Sequence, residues 1–483
     1  MTRRTGGRLR TAFQNLSKSV TPRGDGPGGA ARGLSAIVFT ALVAIVPLSA
    51  VPYGSVEAHW TAVFEALVFL LAALWALEGA LSGGWVSRAH TLALPGVALS
   101  AYALLQSLPG GEGAISYDPY ETRLAAVELL AYAAFLALLL RYTDSERRLR
   151  ALLYAVVAAG LASSLFGILR QTTHRGEGGF MLEYLRAGTG YAQFINKNHF
   201  AYLAEMALGV LLGLVAGRGV ARARALVPLA LALPVWAALV LSNSRGGVFA
   251  MLCQVIFLGA SFGATRPPGR TDNDRGGRER AAREPSFLDR AAHSKAARVG
   301  LVAALLLTII VGMVWLGGDA VADRVASVGE EVTSGATDAT RVGRKDIWAA
   351  TWEMFGAHAL TGVGFGGYWT AVSLYHKGSG GSVPQQAHND YLELLASGGI
   401  VGAALVAPFL FLLVKGSLPR LREESPFARA AHLGALTGLC GVCVHSLVEF
   451  GLHVPSNAFA AVALCAAAVA RLKNSQKTSP SEY

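Results

Sequence analysis

His388 stands in QQAHNDYLELL, directly ahead of an apolar run from Leu392 to Val414. Imidazole titrates near neutrality, so a histidine held at the mouth of a membrane bundle can act as general base toward a hydroxyl. A satisfied polar group is the blander outcome for a lone histidine. Asn389 follows it directly. Arg245 lies in LSNSRGGVF, in a very short turn between two apolar runs, with Ser242, Asn243 and Ser244 before it and Gly246 and Gly247 after it. A guanidinium fixed there has forked donors matching two oxygens of a phosphate or diphosphate; the alternative is an arginine that snorkels to the surface. Arg341 and Arg344, in TRVGRKDIW, offer a second cationic clamp, oriented by Asp346 or Glu353, or else the solvated start of a charged helix. Two more clusters are Asn196, Lys197, Asn198 and His199 in FINKNHFAYLAEM, and His445, Glu449 and His453 in HSLVEFGLHVPSN. The last three recur at a spacing that puts them on one helix face. Interhelical hydrogen bonding explains both clusters as well as ligand contact does.

The elements that must position these groups are membrane helices. The chain has 483 residues, 53% apolar and 15% charged, with mean hydropathy +0.43. A soluble domain cannot bury that much apolar surface, so the fold class is an all-α polytopic membrane protein. Apolar runs predict about 12 transmembrane helices. They start near Leu34, Trp60, Thr91, Leu124, Ala151, His199, Ala225, Gly247, Gly300, Ser397, Ala430 and Asn457. Lys and Arg concentrate in 3–32, 141–150, 218–224, 266–298 and 415–429, which puts those segments in the cytoplasm and the intervening loops outside. The net charge of +11 is then a topology signal, not a nucleic-acid footprint, and inner-leaflet lipid is a natural neighbour of these basic loops.

The divisions that follow are a basic cytoplasmic tail, 1–33, and membrane helices over 34–317, with a flexible cytoplasmic loop at 266–298. One large outer loop, 318–395, comes next, then membrane helices over 396–472 and a cytoplasmic tail, 473–483. The first apolar run reads as an uncleaved anchor. In the outer loop, DIWAATWEMFGAH spaces Ile347, Ala350, Thr351 and Met354 as a short amphipathic helix on or near the membrane surface. GVGFGG (362–367) lacks a strand–turn–helix setting and reads as a close-packed loop or hinge, not a nucleotide fingerprint. Cys253, Cys440, Cys443 and Cys465 all fall in apolar runs and read as small buried residues, and no metal-ligand constellation or cofactor is implied.

TGYAQFINKNHFAYLAEM, LSNSRGGVF, GRKDIWAATWEMF, LTGVGFGGYW, HNDYLELLASGGIVGA and HSLVEFGLHVPSN occur in that order over roughly residues 155–465. Together they resemble the O-antigen ligase/polymerase superfamily of bacterial surface-polysaccharide enzymes. The resemblance implies a multi-spanning inner-membrane glycosyltransferase with a C-type bundle. Such an enzyme needs no metal and no cofactor, and works on the periplasmic side on undecaprenyl-diphosphate-linked glycan. It implies a glycan or lipid acceptor, and a chain-length regulator as a further partner in the polymerase case. It also implies His388 as base, with Arg245 and Arg344, and Arg341 beside them, on the diphosphate. Asn389, Asn198, His199, Glu449 and His453 are supporting candidates. The rival class is a polytopic transporter or flippase for a lipid-linked or anionic substrate, which would tend to show inverted repeats and midplane polar groups.

Overall fold

The computed structural model describes residues 29–82, 88–111, 114–173, 189–261, 344–376 and 383–473. Arg341, the crossing expected from Gly300, the loop 266–298, most of both tails and the first part of 318–395 lie outside the described residues.

Every regular element among the described residues is helical. The principal helices are α1 Gly29–Ala50, α2 Ala58–Ser82, α3 Leu94–Gln106, α4 Pro119–Tyr142, α5 Glu146–Thr173, α6 Lys197–Ala216, α7 Leu226–Leu241 and α8 Arg245–Ser261. They continue with α9 Arg344–Ala357, α10 Tyr368–Val372, α11 Asp390–Ser417, α12 Pro426–His445 and α13 Pro455–Val469. Seven helical stretches are long and apolar enough to cross a membrane, while α7, α8 and α13 are apolar but shorter. The chain is therefore a polytopic membrane protein built from helices.

Local chemistry sets the helix ends. Asn196, Asn389 and Ser425 each cap a helix by accepting from a backbone N–H of its first turn. Pro426 and Pro455 then sit at first helical positions, where a missing N–H costs nothing. Packing is organised around α6, which is buried continuously from His199 to Leu211. Close approach to α12 is possible because Gly209 faces Gly438 and Gly213 faces Gly434, so the two backbones nearly touch. By contrast α2 leaves Val63, Leu70 and Leu77 exposed, as a lipid-facing helix must.

Three features differ from the sequence reading. First, α9 does bury Ile347, Ala350, Thr351 and Met354. That stripe faces protein, however, not a membrane surface: Ala350 and Met354 join Val363, Tyr368, Val372 and Ala396 in one apolar cluster. Second, His445, Glu449 and His453 do not share a helix face. Helix α12 ends at His445, and a short 3-10 turn, Gly451–His453, follows. Pro455 opens the next helix and keeps Val454 extended, so the chain must turn there. The three side chains meet at a bend between two helices.

Third, α11 starts at Asp390, well before the expected Ser397, and is broken at Gly399 (φ 64°, ψ −167°). The break falls among buried residues, Ser397 to Gly399, and leaves backbone groups without partners in their own helix. The glycine loop supplies the partners. Val363 N–H donates to Ala396 O (3.0 Å) and Gly364 N–H to Ser397 O (3.0 Å). On the other side Ile400 N–H donates to Ala359 O (2.8 Å) and Val401 N–H to Leu360 O (3.2 Å). Gln106 of α3 adds a third strut, donating from Nε2 to Thr361 O (2.7 Å) and Ser397 O (3.0 Å). GVGFGG is thus a close-packed loop keyed into a broken helix.

The segments rich in Lys and Arg converge at one end of the bundle. Lys473 pairs with Asp144 (2.6 Å), Ser425 donates to Glu146 (2.9 Å), and Arg150 lies over the Phe427 ring (4.0 Å). Asn198, Arg344, His388 and Glu449 gather at the other end, one helix length, about 30 Å, away. Two cysteine substitutions check which end faces out. Gly356 is exposed and a Cβ there meets nothing within 4 Å, so Gly356→Cys is sterically free. In intact cells Gly356→Cys should react with an impermeant maleimide and Ala221→Cys only after permeabilisation. Labelling of Ala221→Cys from outside would invert the assignment.

Candidate active site

Glu449 is the hub. Its side chain is only 2% exposed, and it lies in the bend between α12 and α13. Oε1 accepts from Arg344 Nη2 and from Asn198 Nδ2 (2.6 Å), and Oε2 faces His388 Nδ1 at 3.1 Å. A buried carboxylate without partners is costly; this one has three donors from α6, α9 and the segment before α11. Burial pushes the Glu449 carboxyl up, but the hydrogen bond with His388 and the Arg344 guanidinium outweigh it and hold the group below its ordinary value. The ionised carboxylate can only accept, so it fixes Nδ1 of His388 as the donor and leaves Nε2 as the basic nitrogen.

The backbone places His388 with unusual force. Its φ is 51°, in the left-handed region that non-glycine residues seldom occupy. Neighbouring bonds hold it there. Trp348 Nε1 donates to Ala387 O (2.9 Å), Ala387 N–H donates to Glu393 Oε2 (2.7 Å), and Asp390 N–H donates to Ser446 O (3.0 Å). Asn389 caps α11 through Tyr391 and Leu392 N–H, so it orients the segment and makes no contact with Glu449. The imidazole is edge-on to Phe450 (4.8 Å between centroids), as is His199 on the same ring (4.8 Å). The side chains of His388 and Arg344 remain 31% and 48% exposed, so the carboxylate is hidden while the two groups it holds reach the surface.

The remaining candidates are placed as follows. His453 Nε2 lies 3.6 Å from Asp390 and 3.5 Å from Glu393, beside the hub and not on it. Desolvation works against charge on that imidazole, but Glu393, Asp390 and Glu128 outweigh it and hold its proton more tightly than usual. Arg245 is exposed and opens α8 after Asn243, which has φ 56°. Its neighbour Gly246 packs on His445 and Val448, so the arginine turn abuts the bend that carries Glu449. Glu205, Asp390 and Glu393 were passed over as site groups. Their signal was a carboxylate inside or at the mouth of an apolar run. Among the described residues no cluster of His, Cys, Asp and Glu is arranged to hold a metal ion.

Residues 229–407 match the family model described as O-antigen ligase. Over that stretch the chain is similar to the O-antigen ligase family. The matched stretch contains the Arg245 turn, Arg344 and His388, whereas Asn198 and Glu449 fall on either side of it. The matched stretch thus receives the hub carboxylate from the helix bend that follows it. No curated protein matches the chain.

Proposed function

We propose that the chain is a glycosyltransferase of polysaccharide biosynthesis that moves a glycan from a lipid diphosphate, undecaprenyl diphosphate, to an acceptor hydroxyl at the outer face of the inner membrane. The observation that carries this reading is Glu449, a buried carboxylate holding His388 and Arg344 side by side. His388 Nε2 takes the acceptor proton, and the acceptor oxygen attacks the anomeric carbon. The bond from that carbon to the diphosphate oxygen breaks, and its electron pair leaves with the diphosphate, opposite two guanidinium groups, Arg344 and Arg245. A single displacement inverts the anomeric centre. The activated donor needs no nucleotide, and the proton, the attacking oxygen and the leaving group are all accounted for without a metal.

Ligase and polymerase differ only in the acceptor. A strain deleted for this gene decides between them by gel analysis of its surface glycan. Chains of one repeat unit identify a polymerase, and long chains stranded on the lipid carrier identify a ligase. Unaltered surface glycan would end the proposal.

A further inference from the structure

Beneath the Arg245 turn lies a second imidazole–carboxylate pair. His445 Nδ1 faces Glu205 Oε1 at 2.7 Å, and both side chains are 0% exposed. Tyr202 stacks on the imidazole (4.3 Å, 17°), and Gln254 donates to the Glu205 and Thr437 carbonyls at 3.0 Å each. The pair is therefore clamped from α6, α8 and α12. The contact with Glu205 engages Nδ1, which turns Nε2 the other way. That nitrogen has no hydrogen-bond partner among the described residues. It points at the backbone of Gly246: a Cβ built there would lie 2.5 Å from Nε2 and 2.6 Å from Cδ2 of His445. The next residue, Gly247, is packed the same way, against Ala201 and Glu205 Oε1 (3.1 Å).

We propose that His445, held by Glu205, is a positioning residue for the donor diphosphate: its ring end sets the height of the Gly246 backbone and so the place of the Arg245 guanidinium. This rests on the reading that Arg245 grips the diphosphate. His445 touches no substrate and takes no part in proton transfer. Its contribution is shape. The glycine admits the ring, and the ring stops the turn from sinking.

The geometry predicts a reciprocal rescue. Gly246→Ala puts a methyl where the ring is and displaces the turn. His445→Asn keeps a donor at the Nδ1 position for Glu205 but removes the ring end, so the turn loses its stop. Together, the added methyl occupies the space the ring vacates. Binding of undecaprenyl diphosphate itself, carrying no glycan, is measured on the purified full-length protein in lipid nanodiscs, with thermal unfolding alongside. Each single variant should weaken binding about tenfold, and the double variant should return to within about threefold of wild type. Contacting residues couple in stability whatever their role, so a merely structural pair would show its losses and rescue in thermal unfolding while the folded single variants bind as wild type does. A double variant no better than Gly246→Ala overturns the inference, as does unchanged binding in His445→Asn, which remains decisive if Gly246→Ala fails to fold. Arg245→Ala separates the two levels. If it binds the lipid diphosphate as wild type does, the functional reading fails; if it loses binding while both turn variants keep theirs, only the positioning role fails.

Discussion

His388→Ala should lower glycan transfer by about 10²- to 10⁴-fold, the usual weight of a general base, while donor binding changes little. Both halves of that expectation follow from the hub. The imidazole is 31% exposed with Nδ1 engaged by Glu449, and the guanidinium groups that would hold the diphosphate are separate side chains on α8 and α9. The left-handed backbone at residue 388 supplies a control. Alanine keeps the strain and glycine removes it, so His388→Gly should be folded at least as well and equally inactive. Recovery of turnover in the glycine variant would show that the loss came from the backbone. Asn389→Ala should cost about 1 kcal/mol of stability through the lost cap, with a much smaller effect on turnover. The decisive measurement is purified enzyme with lipid-linked donor, transfer and binding read separately. Near-normal turnover in His388→Ala, or equal loss of binding and turnover, would make His388 a structural or phosphate-contacting residue.

Glu449→Gln should be nearly as damaging, on the order of 10³-fold or more in turnover, by analogy with the carboxylate that orients a catalytic imidazole elsewhere. The amide keeps the shape but turns one acceptor into a donor. It cannot satisfy Arg344, Asn198 and His388 together. Stability should fall far less than activity, since Arg344 and His388 are partly exposed and can turn to water when released. The pH dependence has a defined sign. A carboxyl whose folded value is lowered contributes stability above its ordinary range, and that contribution is lost only as pH falls through the lowered value. Wild-type activity lost between neutrality and the ordinary carboxylate range therefore reports a group other than Glu449. Thermal unfolding and initial rates of the same preparation test both points. Parallel losses of stability and rate would reduce Glu449 to a packing residue.

Much of this arrangement was legible before any coordinates, and the reasons are local. Helix α9 announced itself because Ile347, Ala350, Thr351 and Met354 follow the helical period. The Arg245 turn was legible because two glycines follow an arginine between apolar runs. The hub was only half legible. Glu449 was a candidate, yet its contacts join residues 198, 344, 388 and 449, which no local pattern relates. The bend at Phe450–His453 was missed because a spacing of four fits a helix face equally well until Pro455 is taken into account. The start of α11 was placed too late because Asp390 and Glu393 look like loop residues by hydropathy, although Glu393 is buried and Asn389 is a helix cap. The break at Gly399 was not legible, since a glycine in a small-residue run is also what a close-packed membrane helix contains.

The broken helix also governs how this part of the chain can vary. Four main-chain hydrogen bonds key residues 359–364 into 396–401. Main-chain groups are the same in every residue except proline at its nitrogen, so the hydrogen bonds themselves do not select side chains, although close packing reserves Gly362, Gly364 and Gly399. The match is strict about spacing. Removing one residue between Leu360 and Val363 would leave two of the four bonds formed and pull the other two out of register, leaving buried peptide groups unpaired. At this point the protein therefore records a count of residues as well as its glycines: Gly362, Gly364 and Gly399 leave no room for a Cβ, and a single insertion or deletion would undo the joint that carries α9 and α10 against α11.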